Sequence, residues 1–136
     1  MRYTYSHCSS INSTTIGANV TDIEKILSES GITAGPVIPS SVINANNAFE
    51  NCSSLISAYL GTNVENMSNY CSGCNNLTTL NGSLSKAINM DSAFQNCLKL
   101  TAGPSIPSTA KNMNNTSKNC SSLGTAYIGS GVEYRD

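Results

Sequence analysis

The sequence contains no tryptophan, a single histidine and only 6% aromatic residues. So few rings exclude the stacking platforms on which single-stranded nucleic acids are held. Charge is scarce as well. Only 11% of residues are charged and the net charge is −1, which leaves no electrostatic footprint for a phosphate backbone or an anionic membrane. No apolar run approaches the length of a membrane span, so membrane insertion is not expected; polar residues follow Met1-Arg2-Tyr3, so no signal peptide is visible, as would also hold for a mature or truncated chain. Asn, Ser and Thr dominate what remains. Without a period, that composition would suit a low-complexity tail. Yet 39% of residues are hydrophobic, and they recur in register, which a disordered tail has no reason to do.

The cysteines reveal the register. Cys8, Cys52, Cys74, Cys97 and Cys120 are separated by 44, 22, 23 and 23 residues, and 44 is twice 22. The skipped site falls near Ser30. The string Thr33-Ala34-Gly35-Pro36 returns as Thr101-Ala102-Gly103-Pro104 after 68 residues, three periods later. Other columns keep step with the cysteines. Three residues before them stand Tyr5, Leu27, Phe49, Cys71, Phe94 and Ser117, and seven before stand Met1, Ile23, Ala45, Met67, Met90 and Met113. Val20, Val42, Val64, Ala87 and Ala110 form a third column, Ile11, Leu55, Leu77, Leu100 and Leu123 a fourth, and Ile16, Ile38, Leu60, Ile106 and Ile128 a fifth.

A repeat of this length cannot bury its apolar side alone, but stacked neighbours make one continuous core. The expected architecture is therefore a repeat solenoid of leucine-rich type, with about six repeats over residues 1–136 as a single domain. Leu55–Leu60 suits a short strand with Leu55, Ala58 and Leu60 inward, since Ala58 and Leu60 show a period of two. Asn66–Cys71 places apolar residues three and four apart, which predicts one helical or 3₁₀ turn on the opposite side. Gly61, Pro39 and Pro107 end strands, and Asn and Ser fill the turns, where their side chains can bond the local backbone.

Two stretches carry a resemblance. Ala48-Phe49-Glu50-Asn51-Cys52-Ser53-Ser54-Leu55 and Ala93-Phe94-Gln95-Asn96-Cys97-Leu98-Lys99-Leu100 resemble the core of BspA-like leucine-rich repeats. Val37-Ile38-Pro39-Ser40-Ser41-Val42 and Ser105-Ile106-Pro107-Ser108-Thr109-Ala110 resemble that family's strand exit. The resemblance spans nearly the whole chain. It implies a curved solenoid of the kind found on the surfaces of bacteria and some protists and in phage-encoded proteins, in adhesion or recognition. Cys71 and Ser117 depart from the family's Phe, as does the heavy Asn content. The family has no shared catalytic residues to carry over.

Chemistry-bearing motifs are mostly absorbed by the repeat. Cys71-Ser-Gly-Cys74 has the spacing of a redox dithiol or half a zinc site. In the columns, however, Cys74 is the repeat cysteine and Cys71 fills the Phe position. Neighbouring ladder cysteines lie about 4.8 Å apart, but parallel side chains disfavour the disulfide dihedral, so free thiols are expected. His7 beside Cys8 lacks a recurring acidic orienter and reads as a turn histidine. The acids are scattered singly, and no glycine-rich phosphate loop is present. No catalytic residues, metal site or cofactor are expected. Asn-x-Ser/Thr triplets at Asn12, Asn19, Asn51, Asn66 and Asn76 are those expected by chance in such a composition.

The binding candidates lie on the outer face of the strand column, the surface that solenoids use for recognition. Tyr59 and Tyr127 occupy the same repeat position, with Val37, Ser57, Ser105 and Thr125 nearby. Tyrosine supplies contact area and a hydroxyl at low entropic cost. The ends form a second expectation. Met1 and Arg135 fall at one phase of the repeat and nothing resembles a polar cap, although Tyr134-Arg135-Asp136 is expected to blunt one end, so at least one end is expected to meet a partner chain or domain. The reading is a non-enzymatic recognition or adhesion module, on a cell surface or secreted, that takes a protein or glycan on its strand face. The alternative is a structural component of a phage or other particle, located in the virion, whose partner subunits cover the solenoid ends. Nucleic acid is not an expected partner.

Overall fold

A polar backbone that follows a 22-residue period can satisfy its hydrogen bonds between repeats instead of within them, and this chain does so on two sides. The computed structural model describes residues 1–128, with side chains described as far as Gly124. On one side lie short parallel strands: β1 (Ser57–Tyr59), β2 (Thr79–Asn81), β3 (Ala102–Ile106) and β4 (Thr125–Ile128). β1 pairs with β2 in the register Ser57↔Thr79, Ala58↔Leu80 and Tyr59↔Asn81, each 22 residues apart. β3 pairs with β4, but its offset changes from 23 at Ala102↔Thr125 (125 − 102) to 22 at Ser105↔Tyr127 (127 − 105). The extra residue sits in the Gly103-Pro104 segment, where proline has no N–H to give a ladder. The earlier copy of Thr-Ala-Gly-Pro shows the same 23-residue offset, at the bridge Ala34↔Ser57. The duplicated string thus carries the same 23-residue offset in both places.

The opposite side differs from the helical turn expected there. No helix occurs among the described residues. Instead, alternate N–H groups point to different partners. Those of Asn47, Phe49 and Asn51 cross to the next repeat, donating to Ser68, Tyr70 and Ser72 carbonyls at 2.8, 2.8 and 2.7 Å. Those of Ala48, Glu50 and Cys52 close local turns onto Ala45, Asn47 and Phe49 at 3.2, 3.3 and 3.1 Å. Left-handed backbone makes this alternation. Each repeat has two such residues four apart: Tyr3 and His7, Lys25 and Glu29, Asn47 and Asn51, Asn69 and Gly73, Ser92 and Asn96, Asn115 and Asn119. A left-handed residue interrupts a right-handed helix after one turn, and Asn tolerates that conformation better than most residues. At Gly73 (φ 80°) glycine takes this conformation without the strain that a side chain would meet.

Entry into these turns is set by a polar ladder. Asp22, Asn44, Asn66, Asn89 and Asn112 bridge one another in parallel from repeat to repeat. The side-chain oxygens of Asp22, Asn44, Asn89 and Asn112 each accept the N–H two residues on, at 3.0 to 3.2 Å. These are Asx turns, the local backbone bonding expected of the Asn-rich segments. Asn46 extends the idea between repeats by accepting the Ser68 N–H at 2.8 Å.

Between the two sides lies the core, which follows the sequence columns. Leu27, Phe49, Cys71 and Phe94 are fully buried, as are Val42, Ala45, Leu55, Met90 and Ala110. Burying each large aliphatic or aromatic side chain contributes about 1.5–3 kcal/mol. Cys71 leaves no gap in the aromatic column because Tyr70, one position earlier, supplies the ring. Where neighbouring repeats have Ala48-Phe49 and Ala93-Phe94, this one has Tyr70-Cys71. The Tyr70 ring meets Phe49 edge-on at 5.2 Å and Phe94 at 6.4 Å. Its hydroxyl crosses the core to donate to the Tyr59 carbonyl at the end of β1, at 2.5 Å. One side chain therefore ties the turn side to the strand side.

Candidate functional site

Strand alternation decides what reaches the surface. In β1, Ser57 is half-buried, Ala58 is buried and Tyr59 is exposed, whereas in β2 Thr79 and Asn81 are exposed and Leu80 between them is half-buried. The register sets Tyr59 beside Asn81 and Ser57 beside Thr79. Tyr59 keeps 37% of its surface in solvent and Val37 62%. Ser105 is exposed in β3. The β4 backbone carries Thr125 opposite Ala102 and Tyr127 opposite Ser105, while the side chains of Thr125 and Tyr127 lie outside the described residues. So do Tyr134, Arg135 and Asp136, which were expected to blunt one end.

The candidates form two groups. Among the four strands, β1 pairs with β2 and β3 with β4, and on its other side β1 is bridged at Ser57 by Ala34. The interruption lies in the fourth repeat, where the chain turns at Gly82 (φ 88°) and its next buried apolar residue is Leu84. Tyr59 and Tyr127, alike in repeat position, thus belong to different two-stranded sheets. Val37 stands apart beside a groove of about 430 Å³ lined by Thr14, Thr15, Ile16, Ala18 and Pro39. A second groove of about 400 Å³ runs along the approach to β1 and β2, between Ser54, Ile56, Asn76, Thr78 and Lys99. Sequence reasoning missed it. The one available signal was Ile56, an apolar residue outside every apolar column, which is 52% exposed.

The thiols serve the stack. Cys52, Cys74, Cys97 and Cys120 donate from Sγ to the carbonyls of Leu27, Phe49, Cys71 and Phe94 at 2.9, 3.0, 3.2 and 3.0 Å. Each acceptor belongs to the preceding repeat, so the cysteine is a small core residue that also satisfies a turn carbonyl. Ser30 fills the skipped position, buried, with its Oγ 3.6 Å from Cys52 Sγ. Burial pushes the Cys52 thiol up to about 11 and the Cys71 thiol well above its ordinary value, which keeps both from being nucleophilic thiolates near neutrality. Among the described residues, no group of three His, Cys, Asp or Glu is placed to hold a metal ion.

His7 does have an acidic neighbour, contrary to the sequence reading: its Nδ1 lies 2.7 Å from Glu29 Oε2. The pair spans equivalent positions of adjacent repeats and both side chains are open to solvent, so it is a surface contact of little energetic weight. No hydrogen bond joins it to Cys8. Among the described residues, no helix is long and apolar enough to cross a membrane.

The arrangement offers contact surfaces: ladder-fixed side chains, two shallow grooves and thiols committed to backbone carbonyls. Comparison with known proteins agrees in kind. The family described as BspA type leucine rich repeat region (6 copies) matches residues 1–101 and 45–135. No curated protein and no solved structure matches the chain. Repeats of this family imply a solenoid-like fold, act in protein or surface binding, are typically non-enzymatic, and are typical of surface or secreted proteins. With most of its length matched on both halves, this chain belongs to the BspA-type leucine-rich repeat family.

Proposed function

We propose that the chain is a recognition module that engages an extracellular protein or glycan with the outward face of its strand column, as part of a single repeat solenoid acting at a cell surface or after secretion. The observation that carries this reading is Tyr59. An aromatic side chain 37% exposed on β1, in register with Asn81 and following Val37 by one period, gives contact area without a pocket. Buried in a contact, such a tyrosine contributes through area and through its hydroxyl, while its two side-chain torsions cost little entropy. Ser57 and Thr79 supply hydroxyls on the same sheet, and Ser105 supplies one on β3. In this reading Thr125 and Tyr127 extend the surface onto β4.

The test is a binding screen of the purified chain against extracellular matrix proteins and a glycan array, followed by Tyr59→Ala and Val37→Asp. Each substitution should weaken the ligand found by about tenfold or more, the equivalent of 1.4 kcal/mol, with the melting temperature unchanged. A ligand that binds both variants as well as the parent would move the site off this face. Catalysis has no part in the proposal.

A further inference from the structure

The rim of the strand face contains a peptide group set up for chemistry of its own. Asn81-Gly82 is the sequence's only Asn-Gly pair. Asn81 ends β2, and Asn81, Gly82 and Ser83 are all exposed. The Asn81 carboxamide has no hydrogen-bond partner among the described residues, and neither has the Gly82 N–H. The other asparagines near this face are held: Asn63 donates from Nδ2 to the Ser40 carbonyl at 2.9 Å, and Asn76 to the Ser53 carbonyl at 2.7 Å. Both are also followed by a branched side chain, Val64 and Leu77. Gly82 has no Cβ to hinder approach to its nitrogen, and its φ of 88° shows why glycine stands there.

We propose that Asn81 is a site of spontaneous deamidation in the folded protein. The deprotonated Gly82 amide nitrogen attacks Asn81 Cγ, forming a new C–N bond. The bond from Cγ to the side-chain nitrogen breaks, and ammonia leaves after taking a proton from water. Water then opens the resulting succinimide at either carbonyl, giving aspartate or isoaspartate, so water is the only co-reactant consumed. Both products put a carboxylate beside Tyr59. The isoaspartate product also inserts a methylene into the main chain where the Asn81 carbonyl accepts the Leu60 N–H at 2.7 Å, disturbing the end of the β1–β2 ladder.

The test compares the intact chain held in mildly alkaline buffer with the same chain in denaturant. Peptide mass spectrometry and isoaspartate methyl-transfer labelling provide the readouts. In the folded chain, the peptide containing Asn81-Gly82 should gain the mass of an NH-for-O exchange and accept methyl groups, while the other asparagine peptides stay unchanged. Asn81→Gln should abolish both signals at that peptide, since its longer side chain disfavours the cyclisation, and Asn81→Ser should do the same if the glutamine variant folds poorly. Conversion confined to the denatured chain would overturn the proposal. So would conversion spread evenly over the other asparagines.

Discussion

Replacing Tyr70 with phenylalanine removes a single oxygen from the middle of the molecule and leaves its shape intact. The ring would keep its edge-on contacts with Phe49 and Phe94 at 5.2 and 6.4 Å. Only the bond to the Tyr59 carbonyl is lost. Tyr70 is buried and its bond to Tyr59 is part-buried, so losing that bond costs about 1–2 kcal/mol. For a domain of this size, a loss of about 2 kcal/mol lowers the melting temperature by roughly 5–10 °C. Tyr70→Ala should cost more, about 3–5 kcal/mol, because it also empties the ring's space. Tyr70→Ala with Cys71→Phe restores the Ala-Phe pair of the neighbouring repeats and should recover packing but not the cross-core bond. The double variant should therefore melt between Tyr70→Ala and the parent. Thermal and urea unfolding followed by circular dichroism measure all three. A Tyr70→Phe protein as stable as the parent would refute the claim that the hydroxyl ties the two sides together.

Alkaline conditions should destabilise the fold. Burial raises Tyr70 well above its ordinary value and Cys52 to about 11, so the stability these groups contribute is present below their unfolded values and is lost as pH rises through the folded ones. Urea midpoints should fall from about pH 9 upward, Cys52 alone accounting for about 2–3 kcal/mol at 1.36 kcal/mol per pKa unit, and an unchanged midpoint at pH 11 would contradict this. Thiol labelling of the native chain should modify exposed Cys8 first and half-buried Cys120 next, with Cys52, Cys71, Cys74 and Cys97 reacting only in denaturant. Equal native labelling of all six would overturn the burial of the ladder. Asn51→Ala places a Cβ-bearing residue without asparagine's tolerance at φ 58° and should cost about 1–2 kcal/mol, whereas Asn51→Gly should be close to neutral. A neutral alanine variant would show that the left-handed columns carry no conformational demand.

The period was legible because one side chain per column meets its own equivalent in the next repeat, so Phe49, Phe94 and the methionines repeat wherever the core repeats. The inward positions Leu55, Ala58 and Leu60 followed for the same reason. The turn side was misread because apolar spacings of three and four at Met67, Tyr70 and Cys71 fit any compact turn. What separates a helix from stacked turns there is the sign of φ at Asn69 and Gly73, and the recurring Asn at those positions was the available clue. Tyr70 was missed as a replacement for the ring because the shift by one residue hides it from a column count. On the face, alternation placed Tyr59 outward, but the break at Gly82 that divides the sheets leaves only a missing column member as its trace. The groove at Ile56 and Lys99 is assembled from three repeats by stacking, and adjacency of that kind has no linear signal.

Hydrogen bonds handed from each repeat to the next give the molecule a grain. Pulled apart from its ends, a detached repeat keeps only its local turns, since the N–H groups of Asn47, Phe49 and Asn51 bond outside their own repeat. Rupture should then travel repeat by repeat. Each step frees 22 or 23 residues, roughly 70–80 Å of extended chain, and dissipates work at every release.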